Sequence, residues 1–471
     1  MAAERLPDIW LTAGDCRLSA RLCILQVPDP APPARIRPFQ IGEINVRNFT
    51  AAAAATLFLA ASLASTASAA DTDTRTASFV IFGDSGYIPA YEELDDDEPP
   101  MRTLGEYMAV EVEEWLERNP SLEGFSPTPW TFETALGSFF PASGMYPVAW
   151  AMDDYCKTWG CDFAAMVGDN IYPDGATLGA DGVSDERRFK QMLDQPFAQF
   201  GAGTPDFTIY SMMGNHDWRV SREATYAQMH YLQQHPNFHM PDLFYRVSPP
   251  GFEGLVELFV IDTEVLLAGT TVHKDELDEE GNEIRTGEME EWKQHIHPAN
   301  EAERNMVAWL EQSLRESTAK WKIVLGHHAL WSGAGSKYEK AHALRALFLP
   351  ALCQYADAYF GGDDHVLEVY TDDCSAADGG GQAVADPVPL FVSGAASKYR
   401  PLHPKFMAQQ VANNPQMRNL WSKGPTWGFM HARIEGDTMT VRALTTPTDY
   451  SGRPILEAEF SFPHRSHDPA R

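Results

Sequence analysis

The chain has 471 residues, 44% of them hydrophobic and 22% charged, which suits one large α/β enzyme with insertions or two to three domains. Its formal net charge of −30 argues against nucleic acid and anionic membrane surfaces as general partners, because the far field repels polyanions. An anionic small substrate remains compatible only where a local positive centre, such as a metal cluster, outweighs that field.

Residues 1–45 include the Pro-rich stretch PDPAPPARIRP and are expected to be a non-native or disordered extension. Residues 46–69 have the anatomy of a secretory signal peptide. Arg47 precedes an apolar core, AAAAATLFLAASLASTASA, that closes on the small-residue pattern Ala67-Ser68-Ala69. The segment is too short and too Ala-rich for a membrane anchor, and a mobile helix is the alternative. No Met occurs between Met1 and Met101, so translation is expected to begin near Val46 from a non-Met codon. The mature protein would then start near Ala70 or Asp71 and be secreted or periplasmic. Four cysteines lie beyond that point: Cys156, Cys161, Cys353 and Cys374. An even number in an exported chain suggests two disulfides, and local spacing favours Cys156–Cys161 and Cys353–Cys374 among the three pairings. Without export, four buried thiols are the alternative.

Beyond Asp71, short runs rich in Val, Ile and Phe alternate with polar and helical stretches. Strands are predicted at 78–83, 162–167, 207–213, 256–262, 322–326, 356–360 and 389–393. Helical spacing of apolar residues occurs at 147–157 and 301–316. This alternation predicts an α/β fold with a buried sheet. The catalytic domain is expected over 71–460, with 461–471 as a tail. Two acidic stretches, about 88–145 and 270–300, read as insertions, with solvated decoration favoured over a lid.

The residues just beyond the strands carry the chemistry. GDSG brings Asp84; GDNIYPDG brings Asp169, Asn170 and Tyr172; GNHDW brings Asn215, His216 and Asp217; GHHALWS brings His327 and His328; GGDDH brings Asp363, Asp364 and His365. Each group taken singly reads as a cap, turn or packing residue. Five strands that each end in Gly and a metal-capable side chain are hard to explain as caps, since sites in α/β sheets form beyond the strands' carboxyl ends. Two metals about 3.5 Å apart can bind a phosphate oxygen, activate water and steady a leaving oxygen. Asp169 is the candidate bridging carboxylate, with Asn215 and His327 as neutral ligands. Tyr172 is informative, because only a strongly Lewis-acidic ion such as Fe(III) would deprotonate a phenol near neutral pH.

In this order the motifs resemble those of the calcineurin-like metallophosphoesterases, and GDxxY is similar to the mark of the compact, tartrate-resistant purple acid phosphatases. The likeness covers roughly Phe79 to Ile434 outside the insertions, and includes GVSDERRF, FYRV, FVIDT, AWLEQSL, FVSGAASKYR and GFMHARI. It implies a four-layer α/β/β/α sandwich with an Fe(III) and divalent-ion (Fe, Mn, Zn or Mg) centre at its edge. The ferric site would take Asp84, Asp169, Tyr172 and His365; the divalent site would take Asp169, Asn215 and His327.

Where the family has GHxH, this chain has GDDH, so Asp363 stands in place of an imidazole. A carboxylate has a shorter reach, adds negative charge and favours harder ions such as Mn(II) or Mg(II) over Zn(II), which predicts an altered or weaker second metal site. The loop GAGSKYEK also lacks the His that often protonates the leaving group in compact relatives. His216 and His328 remain as catalytic candidates, His216 being preferred and His328 equally suited to packing. Lys398 and Arg400 read as solvated charges. The implied activity is that of an exported, monomeric acid phosphatase without stable membrane anchor, acting on small phosphorylated substrates through a metal-bound hydroxide. A phosphodiesterase, or a binding protein with a decayed second site, is the alternative.

Overall fold

In the computed structural model, the described residues are 74–92 and 143–466, less 269, 285–288, 291–295, 377–383, 385 and 448–450, with scattered positions between 109 and 141. The expected signal peptide and most of the first insertion lie outside them.

The apolar runs become two seven-stranded mixed sheets. The first runs from edge to edge as Ile455–Pro463, Thr438–Thr445, Gly428–Glu435, Thr76–Phe82, Phe163–Met166, Ile209–Ser211 and Phe238–His239. From Thr76–Phe82 to Phe238–His239 the neighbours are parallel; the remaining pairs are antiparallel. The second sheet runs as Met417–Lys423, Leu367–Asp372, Val388–Ser393, Ala358–Gly361, Trp321–Leu325, Val256–Val260 and Tyr245–Val247. Its four strands from Val388–Ser393 to Val256–Val260 are parallel, with antiparallel neighbours outside.

Strand alternation decides which rings face inward. Phe79 stacks on Phe163 within its own sheet at 4.6 Å and meets Phe360 of the other sheet edge-on at 6.5 Å. Phe391 meets Phe462 across the same interior at 5.5 Å. On the outer faces, helix Met145–Trp159 lays Tyr155 on Phe429, and helix Tyr338–Tyr355 lays Phe348 on Tyr359. The architecture is thus four layers, helix, sheet, sheet, helix, as the motifs imply. Both disulfides form as expected, Cys156–Cys161 and Cys353–Cys374. Among the described residues no helix is long and apolar enough to cross a membrane.

Three features depart from the sequence reading. The helix expected over 301–316 is broken at Asn305, whose backbone (φ −101°, ψ 14°) separates Glu301–Arg304 from Met306–Glu316. The tail expected from 461 is structured: the last strand continues to Pro463, and the buried Arg465 donates to the carbonyls of Leu352, Ala356, Cys353 and Asp386. Nor is the described part of the second insertion solvated decoration. Asp275 accepts from the backbone N–H groups of Lys337 and Glu339 at 2.7 and 2.9 Å, Tyr338 bonds to Glu276, and Glu283 pairs with His342. A carboxylate at a helix N-terminus satisfies amides that lack intrahelical partners.

Candidate metal centre

The parallel strands of both sheets deliver their carboxyl ends to one edge. Asp84 follows Thr76–Phe82, Asp169 and Tyr172 follow Phe163–Met166, and Asn215 and His216 follow Ile209–Ser211. From the second sheet, His327 follows Trp321–Leu325, and Asp363 and His365 follow Ala358–Gly361. Backbone bonds lace the loops together: Asp84 N–H to the Gly168 carbonyl at 3.0 Å, Gly362 N–H to the His327 carbonyl at 2.6 Å. Asp363 N–H donates to Asp84 Oδ2 at 3.0 Å, joining the two sheets at the site. Asp84, Asp169, Asp363 and His365 all hold positive φ, at 58°, 49°, 72° and 49°. Such conformations cost non-glycine residues energy and cluster where a site requires them.

On one side, four donors converge. Tyr172 Oη lies 2.6 Å from Asp84 Oδ1, 2.7 Å from Asp169 Oδ2 and 3.0 Å from His365 Nε2. His365 Nε2 is 3.3 Å from Asp84 Oδ1. Donor atoms of Asp84, Asp169 and His365 fall within 4.8 Å of one another, all three residues buried. Two buried carboxylates this close call for a cation between them.

The other side is built around His327. Its Nδ1 is held on the Val167 carbonyl at 2.9 Å, so Nδ1–H donates there and the Nε2 lone pair faces the site. Nε2 lies 3.3 Å from Asp169 Oδ1, 3.4 Å from the Asn215 amide and 3.9 Å from Asp363 Oδ1. Gly168, at φ 88°, makes room: a Cβ there would sit 2.7 Å from His327 Nδ1. Asp169 thus presents one oxygen to each side. The Asn215 amide satisfies both its ends when its nitrogen donates to Asp363 Oδ1 and its oxygen accepts from His216 N–H, each at 3.2 Å.

The charges reflect crowding. Burial raises the Asp84 carboxyl well above its usual range, with Asp169 and Asp363 adding to it against His327. Burial also works to raise Asp169, but His327, His216 and the His216 N–H bond overcome it and hold that carboxylate well below its usual value. The Tyr172 phenol is pushed well up by burial and by both neighbouring carboxylates. Two carboxylates, a phenol and an imidazole form a hard, anionic donor set, and Asp363 Oδ2 is buried without a hydrogen-bond partner. The residues therefore fit a metal, and a strongly Lewis-acidic one if Tyr172 is to bind as phenolate.

The two catalytic candidates separate. His216 Nδ1 meets the Pro173 carbonyl at 2.5 Å, its ring lies 4.2 Å from that of Tyr172, and Nε2 is 3.9 Å from Asp169 Oδ2; burial lowers its pKa to about 4. His328 instead turns Nδ1 to Thr263 Oγ1 at 2.8 Å and Nε2 towards Glu264 at 3.5 Å, and is fully buried.

Several contributors were not evident in the sequence. Asp217 accepts from the backbone N–H groups of Asn170, Ile171 and Gly214 and from Gln228, locking the GDNIY loop to GNHD. Its motif position was the available signal. Lys398, read as solvated, sits over the Tyr87 and Tyr172 rings at 4.5 and 4.7 Å. Arg400 pairs with Asp364 at 3.2 Å. Lys337 Nζ reaches 3.5 Å from Asp363 Oδ1. Nothing in GAGSKYEK alone marks that lysine, because its partner is 26 positions away in sequence and meets it only across the sheet edge.

Residues 142–367 match the calcineurin-like phosphoesterase family. The chain is 28% identical over 288 residues to purple acid phosphatase 17 of Arabidopsis thaliana, covering 61% of this chain and 72% of that protein. It is 27% identical over 302 residues to the tartrate-resistant acid phosphatase type 5 of Oryctolagus cuniculus, covering 63% and 78%.

Proposed function

We propose that this chain, a calcineurin-like metallophosphoesterase with purple acid phosphatases among its relatives, is an exported acid phosphatase that hydrolyses phosphomonoesters. The observation that carries the reading is the convergence of Asp84, Asp169 and His365, from three separate loops, on the Tyr172 hydroxyl at 2.6 to 3.0 Å. Asp84, Asp169, Tyr172 and His365 would hold iron, and Asp169, Asn215, His327 and Asp363 would flank any second cation. Bound metal would supply Lewis-acid polarisation of the phosphoryl group and an ionised water at low pH.

The protein's own groups do the rest. Asp169 ties the two sides together, and Val167 fixes the His327 tautomer. Lys398 over the Tyr172 ring, Arg400 on Asp364 and Lys337 on Asp363 surround the cluster with positive charge, drawing a phosphate in against the chain's net charge of −30. With Nδ1–H committed to the Pro173 carbonyl, His216 turns Nε2 towards the cluster, where it can hand a proton to a leaving oxygen only as the imidazolium, which its lowered pKa of about 4 confines to acid. Two disulfides favour an oxidising compartment, in keeping with export.

The test is turnover of 4-nitrophenyl phosphate against bis(4-nitrophenyl) phosphate by iron-loaded full chain across acid and neutral pH. Faster monoester hydrolysis in acid is expected. Preference for the diester, or turnover of neither, overturns the reading.

A further inference from the structure

The two sides of the centre are not equally ready for a metal, and the difference lies in a residue no motif contains. Lys337 sits where the loop after GHHALWS enters helix Tyr338–Tyr355. Its backbone is left-handed at φ 63°, its N–H donates to Asp275 Oδ2 at 2.7 Å, and its carbonyl accepts from Ala341 N–H at 2.9 Å. The same Asp275 carboxylate holds Glu339 N–H at 2.9 Å. Lys337 is therefore pinned at both backbone ends, by the acidic insertion at its N–H and by the helix at its carbonyl. From that fixed base its side chain, about a quarter exposed, places Nζ 3.5 Å from the buried Oδ1 of Asp363.

We propose that the Lys337 ammonium is the built-in second cation of this centre, so that one metal ion binds tightly, at Asp84, Asp169, Tyr172 and His365, and none binds tightly at Asn215, His327 and Asp363. This rests on the phosphatase reading and refines it.

Two observations converge. The Asp363 oxygen nearest His327 is the one facing the ammonium. A divalent ion bound there would lie beside a like charge. Asn215 satisfies both ends of its amide by donating to Asp363 and accepting from His216, and to present its oxygen to a metal it must give up both bonds. The carboxylate at 363 and the lysine at 337 then act as a pair, standing where an imidazole and a divalent ion would. Lys337, reaching the pocket from its solvent side, is placed to bind the substrate phosphate as a metal would.

The test is metal stoichiometry, read independently of activity. Full chain is loaded with iron, gel-filtered, assayed for iron per chain, and titrated with Mn(II) by calorimetry, as wild type, Lys337→Met and Lys337→Gly. The glycine variant suits the left-handed backbone if the methionine variant folds poorly. The expected result is one iron and no Mn(II) uptake below the millimolar range in the wild type, with a second ion bound at least about tenfold more tightly once the ammonium is removed. Two tightly bound ions in the wild type, or identical Mn(II) affinity in all three proteins, overturn the proposal; if 4-nitrophenyl phosphate is still hydrolysed, the phosphatase reading survives that outcome. A wild-type chain that binds no iron and hydrolyses no phosphate ester overturns both.

Discussion

The two halves of the centre share Asp169 yet differ in how their donors are engaged. Around Tyr172, four donors turn inward with contacts of 2.6 to 3.3 Å among themselves. Around His327, the Asn215 amide spends itself on Asp363 and His216, and Asp363 faces Lys337. One half is an anionic cage that needs a cation; the other is already partly compensated by the chain. A pocket can thus keep a family's loop framework while the electrostatics of one half change through two substitutable side chains far apart in sequence.

Losing the shared residue should have the largest effect. Asp169→Asn removes a charge that faces both halves, so iron content and phosphatase turnover should both fall, by more than the roughly 10- to 100-fold that loss of an outer partner costs. Full iron occupancy in that variant would break the view of Asp169 as the common element.

A smaller, one-sided effect is expected from Gly168→Ala. The new Cβ would strain a backbone at φ 88° and press on the His327 ring, 2.7 Å from Nδ1. Urea unfolding should show a loss of roughly 1–3 kcal/mol, while the visible spectrum of the iron-loaded Tyr172 half should stay in place. A spectrum that changes as much as the stability does would mean the halves are not separable.

The mildest test concerns two buried carboxyls outside the donor set. Asp262 bonds to the Trp218 indole and Glu368 to Gly333 N–H and Tyr370; burial pushes each carboxyl up to about 7. In the unfolded chain these groups ionise near ordinary carboxylate values. The contribution of each group is therefore greatest at or below those values and declines by about 1.4 kcal/mol per pH unit until pH 7, then levels. Between about pH 4 and 7 the melting temperature of Glu368→Gln should gain on that of the wild type as pH rises. A difference between the two proteins that does not change with pH would contradict this.

Much of the centre was legible because its donors come after strands: Asp84, Asp169, Tyr172, Asn215, His327, Asp363 and His365 each lie just beyond an apolar run, and parallel pairing brings those ends together. Lys337 was not, since it opens a helix and reaches Asp363 only once the sheets have folded. The helix itself, Tyr338–Tyr355, escaped prediction because it carries Pro350 and apolar residues on more than one face. Arg465 escaped for a different reason, as a lone charge in a polar C-terminal stretch gives no sign that four carbonyls await it. The acidic insertion shows the same limit: composition marked it as solvated, whereas Asp275 caps a helix and fixes a lysine.

The phosphatase reading depends above all on Asp84, Asp169, Tyr172 and His365 holding iron through a phenolate. Elemental analysis of purified full chain, paired with its visible spectrum, tests this at the source. Stoichiometric iron is expected, with a mid-visible tyrosinate band that vanishes in Tyr172→Phe while iron remains bound. Iron-free protein from an iron-replete preparation, or a band that survives the substitution, would contradict it.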